Sequence, residues 1–520
     1  VSGGPSARAV RVAPQERPFR RRVLVNSAVT ITGSGWAILL TLVTYPLVLE
    51  GLGATAFGVW ALLQTFSAFT GWASLSDLGV TTAAHHHLAR RSATDDHAGA
   101  ARVATAVVGL VAAGAALSAV ALAVLGAPVL PALLDVPDDL AEVARTATVL
   151  FGLQVAVDGI TRGAEAALEG ANRVDLARGL DTLRRTTVAV ATAVVAQSGG
   201  DLAAVATVSL LASVPFAPAG LVLVARRSPG GFGAWSASEA RSLLRFGRAA
   251  LLLRSTGVLH RSMDRLIVGV VLGPAAVTVV DAAAQVQTGA DTVLGASSYA
   301  VTPAASWIEA RRDPGPLRDL AVSGTRLSVA ATLPFVVLPV VLAAPLVALW
   351  LGDAGEGVAP LVPLALAYTL VNAPVQVLSN LLVGVGRVAA VVRPALAAVL
   401  VNLVVTSALV GPLGPEGAFL GSLVGAAVLV PPLLRAGCAA VQLPPVVFLD
   451  RSCRGPLVAA GWALVASAAV VLLPLTDLFT VAAGGLLGLA AYLLAVAPAV
   501  GLGPALRRVQ TRAAAADGNG

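Results

Sequence analysis

Apolar runs of roughly 20 residues recur from Asn26 to Val500, each long enough to cross a hydrocarbon layer as a helix. Gly/Pro-rich turns and short charged loops separate them. The pattern predicts about fourteen transmembrane helices, at 26–50, 54–75, 98–126, 141–168, 178–199, 202–225, 245–272, 276–308, 320–350, 357–384, 389–411, 415–437, 455–475 and 479–500. No polar stretch is long enough to form a soluble domain, so the expected fold class is an all-α polytopic membrane protein. The Pro/Arg-rich segment 1–25 lacks the apolar centre and cleavage site of a signal peptide and reads as a disordered tail, with a second tail at 501–520.

The loops between these runs alternate in charge. One set carries Arg20 to Arg22, Arg90 and Arg91, Arg173, Arg226 and Arg227, Arg311 and Arg312, Arg387, Arg435, Arg451, and Arg507 with Arg508. The other carries Glu50, Asp135 with Asp138 and Asp139, Asp201, Asp353 with Glu356, Glu416 and Asp477, and no arginine. Under the positive-inside rule the arginine loops and both termini are cytoplasmic, and an even number of spans agrees.

Two pairs of segments hint at a duplication. LGATAFGV at 52–59 matches LGPAAVTV at 272–279, each after the first span of its half, and LEGANRV at 168–174 matches LVGVGRV at 382–388, each after the fourth. The expected organisation is an N-lobe at 26–225, a cytoplasmic linker at 226–244, a C-lobe at 245–437 and two further helices within 438–500. Internal repeats with a substrate site at their interface are a common transporter plan.

Composition narrows the classes further. Of 520 residues, 57% are hydrophobic and 12% charged, against about 25% charged in a soluble domain. The net charge of +7 sits in short loops, where it reports topology rather than nucleic-acid binding. Two cysteines, Cys438 and Cys453, argue against a disulfide framework. No nucleophile–base pair, metal-ligand spacing or cofactor motif is present: His85, His86 and His87 are adjacent and point to different sides of a helix, whereas zinc helices use i, i+4.

An ordered set of segments resembles the polysaccharide flippases of the multidrug/oligosaccharidyl-lipid/polysaccharide exporter superfamily. They are Asn26 with YPLVLEGLGATAFGVWALL, SLSDLGV before a basic loop, LEGANR, LLRFGRAALLL leading into MDRLIVGVVLG, then LLVGVGR and VLVNLVV. The resemblance covers nearly all of 26–500, and departs at Asp281, where relatives usually carry an aromatic residue. It implies two lobes around a central cavity, alternating access, and transport of a polyprenyl-diphosphate-linked oligosaccharide across the bacterial inner membrane. The helices beyond the twelfth favour a lipid-linked glycan flippase over the drug exporters of the same superfamily. A drug or cation antiporter, and a membrane-embedded glycan enzyme, are the alternatives. The implied partners are the lipid-linked glycan, membrane lipid and a proton or sodium gradient, with a monomeric chain and no cofactor.

Charge inside a bilayer is expensive, so each such residue must face a cavity or a partner. In span seven, Arg254, Arg261 and Arg265 recur at i, i+7 and i+11, one narrow stripe about 16 Å long. Asp264 lies within reach of Arg261 and His260 on the same helix. Span eight brings back Asp281 near the depth of Arg265 and Asp291 nearer Arg261. Two readings stand together: the charges neutralise one another, or the arginines grip the diphosphate through bidentate hydrogen bonds. Asp158, Arg162 and Glu165 on span four, and Asp181, Arg184 and Arg185 on span five, form a second cluster whose i, i+4 spacing favours local pairing. That leaves Arg185 over if Asp181 takes Arg184. The candidate diphosphate residues are therefore Arg254, Arg261, Arg265, Arg185 and Arg326. Asp264 and His260 are candidates for ion coupling, and Asp281, Asp291, Asp158 and Arg162 are charge partners. Asn372, Gln376 and Asn380 form a polar face suited to helix–helix hydrogen bonds, and GSLVG at 421–425 is a small-xxx-small packing motif.

Overall fold

A computed structural model describes residues 16–309 and 314–500; most of the expected tails, and Arg311 and Arg312, lie outside the described residues. Every regular element described is a helix, as expected for an all-α membrane protein. The chain runs through α1 (Glu16–Leu52), α2 (Ala54–Gln64), α3 (Val80–Ala93), α4 (His97–Ala121), α5 (Ala127–Leu133), α6 (Asp138–Gly170), α7 (Val174–Gln197), α8 (Leu202–Ser213), α9 (Phe216–Arg227), α10 (Ala237–Leu272), α11 (Pro274–Ser298) and α12 (Val301–Glu309). It continues through α13 (Pro314–Val341), α14 (Ala343–Leu351), α15 (Leu361–Gly384), α16 (Ala389–Leu413), α17 (Glu416–Ala440), α18 (Pro445–Val471) and α19 (Asp477–Val500).

Three elements depart from the sequence pattern for local reasons. α1 starts at Glu16, so Glu16 to Val25 are helical turns rather than tail. α10 starts at Ala237, well before 245, because Ser236 caps it: the Ser236 hydroxyl accepts from Glu239 N, and the acid at the fourth position completes a capping-box sequence. The second apolar run is not one helix. α2 stops at Gln64, a 3-10 turn covers Trp72–Asp77, and α3 resumes after Leu78 and Gly79, both in the left-handed region at φ 51 and 78. Gly79 is obligatory there, since a Cβ would lie 2.2 Å from the Gly247 carbonyl oxygen of α10.

Among the described residues, ten helical stretches are long and apolar enough to cross a membrane. The helices outside that set, α2–α3, α7, α10, α11–α12 and the short apolar α14, are too broken, too short or too polar. Lipid does not tolerate such helices on its own; they need protein or a cavity around them.

Helices α1–α9 pack together, as do α10–α17, while α18 and α19 pair with each other and lean on α13. We refer to the first two groups as the N-lobe and C-lobe. At the bundle end that carries Glu50, Asp201 and Glu416, here the acidic end, one apolar core runs through both lobes, joining Leu49, Phe57 and Leu62 to Val277, Val347 and Phe419. At the opposite, arginine-bearing end the cores are separate: Val103 and Leu168 belong to one, Leu378 and Phe448 to another. The lobes are sealed at the acidic end and largely independent at the other, with α10 as the main bridge.

Candidate functional site

Four of the elements outside the apolar set, α2, α7, α10 and α11, meet α1 and α6 around one cavity. About 330 Å³ of space lies between α1, α2, α6 and α7 of the N-lobe and α10 and α11 of the C-lobe. Its charged wall is Asp158, Arg184, Arg185, Arg265 and Asp281, its amides are Gln64, Gln154 and Gln285, and rings of Tyr45, Trp60 and Phe69 complete it.

Arg265 and Asp281 meet because Gly273, at φ 82, both ends α10 and begins α11, with Pro274 at the first helical position. Each residue is eight positions from that glycine, so the antiparallel helices hold them at equal depth, with Arg265 Nη2 2.7 Å from Asp281 Oδ1. On the opposite wall Arg185 Nε lies 2.8 Å from both carboxylate oxygens of Asp181. Arg184 is more deeply committed. It reaches Asp181 at 3.3 Å and Asp158 at 3.4 Å, and its guanidinium sits 3.8 Å from the centre of the Phe69 ring. Asp158 also accepts from Gln154, which is itself tied to Ser209 and Ser213.

Below this cavity the break in the second span builds a different knot. Asp77 is 2% exposed and accepts from Gly79 N at 2.8 Å, Thr81 Oγ1 at 2.8 Å and Arg254 Nη1 at 3.0 Å, with Arg162 Nη2 at 3.6 Å. The unwound chain leaves the Phe69 carbonyl free of a helix, and Arg162 and Arg254 both donate to it, at 3.1 and 3.3 Å. The local pairing expected between Asp158 and Arg162 is therefore replaced by two partners from elsewhere, Arg184 for the aspartate and Asp77 for the arginine. Side chains one helical turn apart meet on a free surface; buried in a bundle, these two reach across to facing helices instead.

A third polar group sits inside the C-lobe. Asp264 accepts from Ser422 Oγ at 2.8 Å, Asn402 Nδ2 at 3.0 Å and Thr406 Oγ1 at 3.5 Å. Its predicted same-helix pairing with Arg261 or His260 does not occur, because α16 and α17 supply donors on the side of α10 where Asp264 points. The small residues of 421–425 make that approach possible: a Cβ on Gly421 would lie 2.0 Å from Thr406 Oγ1, and one on Gly425 3.0 Å from the Ala398 carbonyl oxygen. His260 stacks on Tyr368 at 4.7 Å, with Asn402 Nδ2 3.4 Å from its Nδ1.

The stripe on span seven is thus divided. Arg265 lines the cavity, Arg254 belongs to the Asp77 knot, and Arg261 is exposed, with Asp291 and Tyr368 as its electrostatic neighbours. Asp291 accepts from Thr369 Oγ1 at 2.7 Å. Arg326 is far from the cavity: it donates to the Arg451 carbonyl at 2.7 and 3.1 Å, fixing α13 to α18. Asn380 donates to the Ser298 carbonyl at 3.1 Å, a helix–helix bond. Sequence reasoning did not assign Asp77, Phe69, Asn402, Thr406 or Ser422. Asp77 and Asn402 lie inside the segments SLSDLGV and VLVNLVV, which marked them without giving them partners.

The polysaccharide biosynthesis protein family matches residues 52–360. No curated protein sequence matches the chain. Among solved structures it is similar to a lipid II flippase MurJ in an inward closed conformation, at 12% identity and a TM-score of 0.71, covering 91% of this chain and 98% of that one. It is also similar to an inward-facing multidrug resistance MATE family transporter of the MOP superfamily, at 15% identity and a TM-score of 0.64, covering 80% of this chain and 98% of that one. An outward-facing MATE transporter matches at 16% identity and a TM-score of 0.57, covering 81% and 95%. At these identities the likeness establishes a shared fold.

Proposed function

The chain belongs to the polysaccharide biosynthesis protein family, and on that premise we propose that it moves a polyprenyl-diphosphate-linked oligosaccharide across the bacterial cytoplasmic membrane by alternating access. One observation carries the reading. Arg185 and Arg265 face a shared cavity from different lobes, and each is held by a single aspartate, Asp181 or Asp281. A diphosphate stripped of water needs its hydrogen bonds replaced, and two guanidiniums supply bidentate, charge-assisted ones. The aspartates hold the arginines while the site is empty, so neither cation is left unpaired in the cavity.

The remaining charges take other roles in this reading. Arg184 and Arg254 are scaffold, Arg326 anchors α18, and Arg261 lies beside the path by which an anionic head group reaches Arg265. The arginine-bearing end is cytoplasmic by the positive-inside rule. A bundle sealed at the acidic end is then the inward-facing state. Asp264, a carboxylate inside the C-lobe held by the Asn402 amide and the Thr406 and Ser422 hydroxyls, is the site of proton or sodium coupling in this reading, since a carboxylate inside a membrane bundle marks an ion or proton pathway.

The fold shared with multidrug transporters favours a drug or cation antiporter as the second reading. The two are separated in proteoliposomes of the purified protein. Flipping of a polyprenyl-diphosphate-linked fluorescent saccharide, read by its exposure to an impermeant enzyme that cleaves the sugar, is expected with wild-type protein. Transport of a cationic dye with no movement of the saccharide overturns the assignment.

A further inference from the structure

Pro46 interrupts α1 two turns before its end. Proline has no N–H, so the carbonyl of Leu42, four residues earlier, loses its helical donor. In an apolar bundle such a carbonyl must find another partner. It does so across the lobes: the indole Nε1 of Trp350, on α14, donates to Leu42 O at 2.8 Å. The Trp350 ring lies 5.2 Å from that of Tyr45. Both residues sit at the sealed acidic end, Trp350 packing against the core that the two lobes share there.

A second proline makes the contrast. Pro334 in α13 frees the carbonyl of Ala330, and the Tyr492 hydroxyl of α19 donates to it at 2.7 Å. Tyr492 is 1% exposed, and its partner lies on the helix that α19 packs against, so parting of the N- and C-lobes leaves that bond intact. Trp350 is only partly buried, and its bond crosses from one lobe to the other. When the lobes part at this end, water enters the seam and takes over the Leu42 carbonyl. The bond is exchanged for a hydrated one rather than lost into hydrocarbon.

We propose that Pro46, Leu42 and Trp350 form a releasable latch that holds the acidic end of the bundle shut. The inference rests on the alternating-access reading only in requiring that the lobes part there. Neighbouring seam contacts, Thr278 Oγ1 to Ala54 O at 2.7 Å and Tyr45 Oη to Thr278 O at 3.5 Å, are satisfied by backbone that needs no proline. The latch differs from them in that Pro46 creates the acceptor.

The test uses a reporter thiol. Val277 on α11 is fully buried in the shared core, so Val277→Cys, with Cys438 and Cys453 replaced by alanine, reacts with an impermeant methanethiosulfonate only when the seam opens. Trp350→Phe keeps a ring but removes the donor, and is expected to raise the labelling rate about ten-fold, the change that ~1.4 kcal/mol of lost hydrogen bond gives. Pro46→Ala restores an N–H that takes Leu42 O within α1, and is expected to raise the rate similarly. The decisive result is the pair together: with Pro46→Ala present, Trp350→Phe adds nothing. If Trp350→Phe leaves the rate unchanged, or the two effects multiply, Trp350 acts by bulk and the latch is overturned. Labelling is read without substrate, so this outcome is independent of what the protein carries.

Discussion

Asp77 and Arg254 are 177 residues apart in the chain and 3.0 Å apart in the fold. Their contact docks the first half of α10 on the N-lobe, while the second half of the same helix packs on α16 and α17. One helix therefore belongs to both lobes, and the break in the second span exists to receive it: the unwound turn supplies the Phe69 carbonyl and the carboxylate of Asp77.

The knot predicts an order of stability losses. Asp77→Asn removes the carboxylate that Arg162 and Arg254 share, and is expected to cost about 3 kcal/mol, the range for breaking a buried ion pair. Arg254→Gln leaves the Asp77–Arg162 pair, and Arg254 is 24% exposed, so its loss is screened and expected near 1 kcal/mol. Combining Arg254→Gln with Asp77→Asn should be milder than the sum of the single changes. Thermal unfolding in detergent measures all three; additivity would show that the two residues do not act on each other.

Close backbone contacts at the sealed end predict a steric effect. A Cβ on Gly58 would lie 1.8 Å from the Pro274 carbonyl oxygen, so Gly58→Ala must push α2 away from α11. The expected cost is about 1–3 kcal/mol, the usual range for overpacking. Gly35→Ala, where nothing lies within 4 Å, is the control and should be neutral or slightly stabilising, since alanine favours helix. Equal unfolding temperatures for the two variants would mean that the seam gives way without cost.

The Asp264 cage predicts loss of coupling without loss of fold. Asp264→Asn keeps the shape but removes the charge that a proton or sodium ion would neutralise. Ser422→Ala removes the closest hydroxyl, at 2.8 Å. Flipping in proteoliposomes should lose its dependence on an imposed proton or sodium gradient in the first variant and need a steeper gradient in the second. Full gradient dependence in Asp264→Asn would take this site out of the coupling mechanism.

How far the sequence reached follows from the physics of each feature. Apolar length is a local property, so ten of the fourteen expected crossings stand as apolar helices among the described residues, and the Gly273–Pro274 turn that matches Arg265 to Asp281 in depth was legible too. The helix break after Gln64 was not, because the contacts that accompany it, Gly79 against Gly247 and the Phe69 carbonyl with Arg162 and Arg254, come from distant helices. Partner choice for buried charges failed for the same reason. Asp158, Arg162 and Asp264 have plausible partners on their own helices, but the helices packed against them offer better-directed ones. A periodic stripe such as Arg254, Arg261 and Arg265 fixes a face of a helix; it does not say that one surface covers that face along its whole length.

The cavity arginines give the last prediction. If Arg265 binds a diphosphate, Arg265→Lys should lower flipping about ten-fold, because lysine keeps the charge but loses the planar fork that binds two oxygens at once. Arg185→Lys should do the same from the opposite wall. If instead Arg265 serves only to neutralise Asp281, then Arg265→Gln combined with Asp281→Asn removes both charges and should restore flipping to near the wild-type rate. The substrate-binding reading expects no such rescue, since the double variant still lacks the donor. Initial flipping rates at matched protein density, with thermal unfolding as a check on folding, separate the two. Wild-type rates in the neutral pair would reduce Arg265 to scaffold and leave Arg185 as the remaining cavity arginine to test.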